Sequence, residues 1–138
     1  MINPIYPCLW FKDSAKEAAE YYCTVFPNSN IISANPVVVI FNLNGNQFMA
    51  LNGRMEQDYT ESVSFVITCQ DQEEIDHYWN HFQMGGQELM CGWIKDKFGV
   101  PWQVIPSVLG GLMTDPEKGP KASEALLKMK KIIIADLY

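Results

Sequence analysis

The chain carries one small unit twice, and that repetition restricts its fold more than any other feature. Trp10-Phe11-Lys12-Asp13 leads into the helix-like run Glu17-Ala18-Ala19-Glu20-Tyr21-Tyr22, and Ile67-Thr68-Cys69-Gln70-Asp71 leads into Glu74-Ile75-Asp76-His77-Tyr78-Trp79. Glu17 corresponds to Glu74, an offset of 57 (74 − 17). Each copy continues through a strand, a glycine and a second strand: Phe41 to Gly45 then Phe48 to Leu51, and Asp96 to Gly99 then Trp102 to Ile105. A strand–helix–strands unit of this size leaves sheet faces and edges uncovered, so it must pair with its copy.

The 138 residues suggest a single domain, with modules at 1–53 and 62–106 and a helical tail at 107–138. A hydrophobic content of 48% supports a real core. The net charge of −6 argues against a nucleic-acid partner. Between Met55 and Ile94 there are eight carboxylates and no Lys or Arg, while half of the ten basic residues follow Pro116. This asymmetry reads either as a solvated acidic face with a basic tail or as contact between the two regions. No apolar run reaches the roughly 20 residues that span a bilayer. Met1-Ile2-Asn3-Pro4 lacks the basic and apolar regions of a signal peptide. The expectation is a cytoplasmic protein without a membrane partner, whose Cys8, Cys23, Cys69 and Cys91 are free thiols. No Cys-x-x-Cys spacing suggests structural zinc.

Ile5 to Phe11 reads as a strand, with Asp13 or Ser14 as the next helix cap and Glu17 completing a capping box. Ala15, Ala18, Ala19, Tyr22, Val25 and Phe26 form the apolar face of that helix. Strands follow at Ile31–Ser33, Pro36–Leu43 and Gln47–Leu51, with a two-residue hairpin at Asn44-Gly45. Arg54 to Glu61 is a polar linker. From Ser62 to Cys69, Val63, Phe65 and Ile67 alternate with Ser64, Val66 and Thr68. Asp71 caps a second helix whose face is Ile75, Tyr78, Trp79 and Phe82, and Gly85-Gly86 ends it. Glu88–Met90, Gly92–Lys97 and Trp102–Ile105 read as strands with a turn at Phe98-Gly99. The tail pattern predicts a helix from about Pro120 through Ile133, with Ala122, Leu126, Met129 and Ile133 on one face. Lys128, Lys130 and Lys131 suit its negative end, and it would pack outside a sheet or on a neighbouring subunit.

The run from Cys91-Gly92-Trp93-Ile94-Lys95-Asp96-Lys97-Phe98-Gly99 through Val100-Pro101-Trp102-Gln103-Val104-Ile105-Pro106 resembles the signature of the PhnB-like branch of the vicinal oxygen chelate superfamily. That branch is also called 3-demethylubiquinone-9 3-methyltransferase-like. Leu9-Trp10-Phe11, Ala18 to Tyr22, Phe48 to Gly53 and Leu127 to Ile132 resemble it too, so the likeness covers nearly the whole chain. It implies an α+β fold of paired βαβββ modules forming a curled mixed β-sheet cup, as in glyoxalases and bleomycin-resistance proteins. It also implies a homodimer, in some relatives with modules exchanged between chains.

Enzymes of that superfamily commonly hold a divalent metal through one side chain from each of four strands. Counting back from the acidic helix caps Asp13 and Asp71 transfers two of those positions to Tyr6 and Ser64; counting on from the hairpin glycines Gly45 and Gly99 transfers the others to Met49 and Gln103. A hard cation prefers carboxylate, imidazole or several oxygens, which this set lacks. Register neighbours (Ile5, Pro7, Phe48, Ala50, Val63, Phe65, Trp102, Val104) improve nothing. His77 and His81 share a helix face at zinc-compatible spacing but lie opposite the apolar stripe. No metal and no other cofactor is therefore expected. S-adenosylmethionine would need a glycine-rich strand–helix loop, which is missing, so methyl transfer is disfavoured despite the family label. Cys91 is a weak nucleophile candidate that Lys95 and Lys97 would have to activate, and Gln103 is a weak catalytic one. The acidic pairs Glu73-Glu74 and Asp71-Asp76 read as solvated helix charge. The expected ligand is an apolar or aromatic small molecule, contacted by Tyr6, Trp10, Phe48, Met49, Asn52, Ser64, Trp93, Trp102 and Gln103. The alternative is a glyoxalase- or dioxygenase-type enzyme acting on a vicinal-oxygen substrate.

Overall fold

The computed structural model describes residues 4–138, so Met1 to Asn3, on which the signal-peptide reading partly rests, lie outside the described residues. The chain divides into two compact units, Met1–Asp58 and Tyr59–Tyr138. Each contains one βαβββ module, built on the same plan.

The first unit comprises strand β1 (Cys8–Phe11), helix α1 (Ala15–Val25) and strands β2 (Asn30–Ala34), β3 (Val38–Leu43) and β4 (Asn46–Asn52). The sheet order is β1-β4-β3-β2, with β1 parallel to β4 and the other pairs antiparallel. Alternation along the strands sends Leu9, Phe11, Val39, Phe41, Leu43, Phe48 and Ala50 into the core beneath α1. There Tyr22 of α1 meets Phe41, which stacks in turn on Phe48 (centroids 6.3 and 5.5 Å apart). The expected hairpin forms at Asn44-Gly45, with φ of 50° and 84°. The expected capping box does not. Ser14 sits at the N-cap without a side-chain hydrogen bond. The Ala15 N–H instead donates to Asn52 Oδ1 at 2.9 Å, so the last strand of the module caps its helix. The first strand is also shorter than Ile5–Phe11, because pairing with β4 begins at Cys8.

The second unit repeats this with β5 (Phe65–Cys69), α2 (Gln72–Gln83), β6 (Gln87–Glu88), β7 (Trp93–Lys95) and β8 (Pro101–Pro106), in the order β5-β8-β7-β6. Asp71 caps α2 as expected, accepting from the Glu74 N–H at 2.9 Å. Ile75, Trp79 and Phe82 are buried against Ile94, Trp102 and Val104, and the Phe82 and Trp102 rings stack 5.1 Å apart. Trp79 Nε1 donates to Glu88 Oε2 at 2.6 Å.

The tail departs from its sequence pattern. It contains two short helices, α3 (Leu109–Thr114) and α4 (Gly119–Leu126), and a final 3₁₀ turn at Ile134–Leu137. The helix predicted to reach Ile133 stops at Leu126, where the chain tightens: the N–H groups of Lys128 and Met129 turn back three residues to the carbonyls of Ala125 and Leu126. Cys91 N–H donates to Met129 O (2.7 Å) and Gly92 N–H to Lys130 O (2.8 Å). Gln72 then clamps the next turn from both sides, its Nε2 donating to Ile132 O and its Oε1 accepting from Ile134 N–H. Ile132, not Ile133, is the buried residue, packed with Leu112, Ala122 and Leu137. Lys131 reaches Asp76 on α2 at 2.9 Å, and Lys128 pairs with Glu124. Gly92 is required where the tail crosses: its φ is 82°, and a Cβ there would lie 2.7 Å from Ile132 Cδ1.

Candidate functional site

The pleat gives each sheet a helix-covered face and an open face. On the first sheet the open face holds Cys8 and Trp10 of β1, Val38 and Ile40 of β3, and Met49 and Leu51 of β4. Cys8 lies opposite Met49, and Met49 opposite Ile40. On the second sheet it holds Val66 and Thr68 of β5, Gln103 and Ile105 of β8, and Trp93 and Lys95 of β7, with Val66, Gln103 and Trp93 in one cross-strand row.

The expected contact residues fall on both faces. Phe48 and Trp102 were expected to line a cup, but both point the other way. Phe48 is stacked under α1, and Trp102, 2% exposed, is stacked under α2. Asn52 also serves the helix side, with Oδ1 on the Ala15 N–H and Nδ2 donating to Pro36 O at 3.0 Å. Tyr6 is exposed ahead of β1. Trp10 belongs to the open face, but its indole is fixed by the chain after β4: Nε1 donates to Met55 O at 2.8 Å, and a Cβ at Gly53 would fall 1.9 Å from Trp10 Cζ2. Only glycine leaves room for that ring. Met49, Trp93 and Gln103 are half-buried on the open faces.

Two expected positions come together as a pair. Gln103 Nε2 donates to Ser64 Oγ at 2.9 Å, across the parallel β5–β8 pairing. The hydroxyl and carboxamide lie in the cross-strand neighbourhood of Trp93, which pairs directly with Gln103. An indole thus shares one sheet face with a small polar pair, residue types that can contact a ring and hydrogen-bond its substituent.

Sequence reasoning gave no role to Asp96, although it lies within the signature. Its carboxylate is 2% exposed and accepts three hydrogen bonds. Oδ1 takes the N–H groups of Phe98 (2.9 Å) and Val100 (3.1 Å), and Oδ2 takes Trp102 Nε1 (2.9 Å). Asp96 therefore closes the β7–β8 turn and orients the core indole. Lys95 was read as a neighbour of Cys91, but its ammonium pairs with Glu61 at 3.4 Å. The clue was its two-residue step from Trp93, which puts both on one face. Lys97 lies over the Phe98 ring, 5.4 Å from its centroid.

The remaining candidates are surface or core groups. His77 and His81 are exposed on α2 with ring centroids 4.5 Å apart, and His81 Nδ1 lies 2.7 Å from the His77 carbonyl oxygen. Among the described residues, no three His, Cys, Asp or Glu side chains converge. All four cysteines are free thiols. Burial, reinforced by Glu74 and Asp71, pushes the Cys69 thiol up to about 12, and burial also raises Cys8 and Cys23. No described helix is long and apolar enough to cross a membrane.

These residues do not fit the groups implied by the superfamily and its label. In the first module the transferred metal positions offer a phenol and a thioether. In the second they offer a hydroxyl and a carboxamide already bonded to each other through the amide NH₂. A hard divalent cation finds no carboxylate or imidazole there. S-adenosylmethionine would need free backbone N–H groups at a glycine-rich strand–helix loop. The helix entries after β1 and β5 have no glycine and are closed by Asn52 and Asp71.

Residues 3–105 match the 3-demethylubiquinone-9 3-methyltransferase family. Among solved structures, the chain is similar to a PhnB protein from Bacillus cereus, with 29% identity over 76% of this chain and 100% of that one, at a TM-score of 0.69. A glyoxalase-related enzyme from Fulvimarina pelagi superposes at a TM-score of 0.57, with 15% identity over 78% and 91% of the two chains. The fosfomycin resistance protein FosX from Listeria monocytogenes superposes at 0.55, with 18% identity over 75% and 91%. These two likenesses concern the fold alone. No curated protein matches the chain. The duplicated βαβββ plan, the Cys91–Pro106 signature and the match over 3–105 lead to one conclusion: the chain belongs to the PhnB-like 3-demethylubiquinone-9 3-methyltransferase family, on the glyoxalase/bleomycin-resistance fold.

Proposed function

We propose that the protein binds an apolar or aromatic small molecule against the open face of the second sheet, without a metal. The observation that supports this reading is the row Val66–Gln103–Trp93, with Ser64 bonded to Gln103: a ring platform with a polar pair at its edge. Met49, Leu51 and Ile40 supply a comparable apolar surface on the first sheet. Isothermal titration with 2-naphthamide tests it. Saturable binding, weakened by Trp93→Ala and by Gln103→Ala, is expected; binding indifferent to both changes would sink the assignment. Near-stoichiometric Zn, Ni, Mn or Fe in tag-free protein, required for binding or turnover, would overturn the metal-free part. The reading includes a homodimer, because open-face side chains such as Val66 (53% exposed) leave apolar surface in water. A monomer in sedimentation equilibrium would remove that part.

The second reading is an enzyme acting on a vicinal-oxygen substrate. It is favoured by the coincidence of the Ser64–Gln103 pair with the strand positions that carry ligands in the superfamily's enzymes. It requires turnover that disappears in folded Gln103→Ala. Methyl transfer ranks last, and calorimetry with S-adenosylmethionine should register no binding.

A further inference from the structure

The open face of the second sheet has an electrostatic asymmetry that its apolar character conceals. Among the described strand residues of that face, Lys95 is the one charged side chain. The others are Val66 and Thr68 of β5, Pro101, Gln103 and Ile105 of β8, Trp93 of β7 and Gln87 of β6. The chain as a whole is acidic, and Lys95 is the first basic residue after Arg54. Its side chain is three-quarters buried, and its ammonium lies 3.4 Å from Glu61 Oε1. Glu61 is half exposed and sits in the segment before β5, outside the sheet ladder. The pair therefore joins a fixed, partly desolvated cation to a counter-ion on a solvated arm.

Such a cation has two uses. A surface ion pair contributes little to stability, and three-quarters burial of the lysine side chain makes that role costly. An ammonium that keeps one exposed partner can exchange it for another anion at small net cost, since one charge-assisted contact replaces another. Lys95 stands two residues from Trp93, whose neighbour across the strands is Gln103. An aromatic ring on Trp93 thus places its substituents between the Ser64–Gln103 pair and the ammonium.

We propose that the ligand of this face is an aromatic or apolar acid, its oxyanion taken by Lys95 in exchange for Glu61. This rests on the binding-face reading above and names the chemical class of its ligand.

The test compares 2-naphthoate with 2-naphthamide, which share a ring and differ in charge, by isothermal titration at pH 7.5. The wild type should favour the naphthoate, by less than the roughly tenfold that one charge-assisted contact would give if no Glu61 had to be displaced. Lys95→Met should abolish that preference, weakening naphthoate more than naphthamide; a preference that survives the change overturns the assignment of the oxyanion to Lys95. Glu61→Gln should strengthen naphthoate binding by roughly threefold, since it removes the internal competitor; a merely structural ion pair would give no gain. This second variant keeps the proposal testable if Lys95→Met folds poorly. Equal affinity for both probes in the wild type overturns the acid inference and leaves the aromatic site standing. Failure of both probes to bind overturns both. Unchanged or weaker naphthoate binding in Glu61→Gln overturns the exchange.

Discussion

Replacing Asp96 by Asn tests whether the buried carboxylate holds the β7–β8 turn and the core indole together. The wild-type carboxylate meets three donors with two oxygens: Oδ1 serves two backbone N–H groups and Oδ2 serves Trp102 Nε1. A carboxamide has one oxygen. If that oxygen keeps the turn, the NH₂ faces the Trp102 N–H, donor against donor, in a site where both residues are 2% exposed. A hydrogen bond to a charged group contributes about 1.5–3 kcal/mol, and a buried donor left unsatisfied costs about 1–3 kcal/mol. These overlap, so Asp96→Asn should cost about 3 kcal/mol. With a urea m-value of about 1.5–2 kcal/mol/M, the midpoint falls by roughly 1.5–2 M. The assay is urea unfolding followed by tryptophan emission in a Trp10→Phe background, which leaves reporters in the second unit alone. The decisive comparison repeats Asp96→Asn in a Trp102→Phe chain, where no indole N–H remains to be orphaned. The cost should drop to about 1 kcal/mol there, a coupling of about 2 kcal/mol. An equal cost in both backgrounds would refute the assigned role of Oδ2.

Gly53→Ala should displace the Trp10 indole, since the new Cβ would sit 1.9 Å from its Cζ2; a loss of about 2–4 kcal/mol in the first unit is expected, largely relieved by Trp10→Ala, and a stable, unshifted Gly53→Ala would contradict the contact. Asn52→Ala should cost about 1–2 kcal/mol by uncapping α1, while Ser14→Ala costs almost nothing; the reverse order in thermal melts would restore the capping-box reading. The Cys69 thiol is pushed up to about 12 from 9.0 by burial and by Glu74 and Asp71. The folded state therefore holds a proton that the unfolded chain releases, so this contribution is complete below about pH 9 and is lost as pH rises towards about 12. The urea midpoint should fall with rising alkaline pH more steeply in the wild type than in Cys69→Ala, and parallel slopes would count against the shift. Gln72→Ala should release the turn at Ile132–Ile134, seen as faster tryptic cleavage after Lys130 and Lys131; unchanged cleavage would show that Lys131–Asp76 and the buried Ile132 hold the turn without it.

Local signals were legible in the sequence, and non-local commitments were not. Asn44-Gly45 and the Asp71 cap each depend on a few adjacent residues and formed where expected, and the alternation read over Ser62–Cys69 holds from Phe65 on, while Val63 lies exposed ahead of the strand. The capping box at Ser14 was locally plausible, yet the α1 cap came from Asn52, 37 residues downstream. The tail helix failed for the same kind of reason. Its pattern fits a helix through Ile133, but the chain tightens after Leu126, and Met129 and Lys130 beyond it accept from Cys91 and Gly92, which no local pattern reveals. The site was half legible. Ser64 and Gln103 met as their shared face required. Trp102 and Gln103, however, are consecutive on one strand and cannot both face one ligand. Applying that alternation strictly would have put Trp93, Lys95 and Gln103 on one face and sent Trp102 to the core.

The same alternation explains why family membership says so much about fold and so little about reaction. In the Cys91–Pro106 signature, Gly92 admits the tail, Asp96 closes the turn and holds Trp102, and Trp102 and Val104 pack under α2. These are structural duties, performed on the helix side of the sheet or in its turns. The residues between them, Trp93, Lys95 and Gln103, look out from the opposite face. The second set can change from one chain to the next without disturbing a single hydrogen bond of the turn. On the proposed reading, the chemistry of this protein lies on the open face of the second sheet, where an indole, a carboxamide–hydroxyl pair and the ammonium paired with Glu61 lie along adjacent strands.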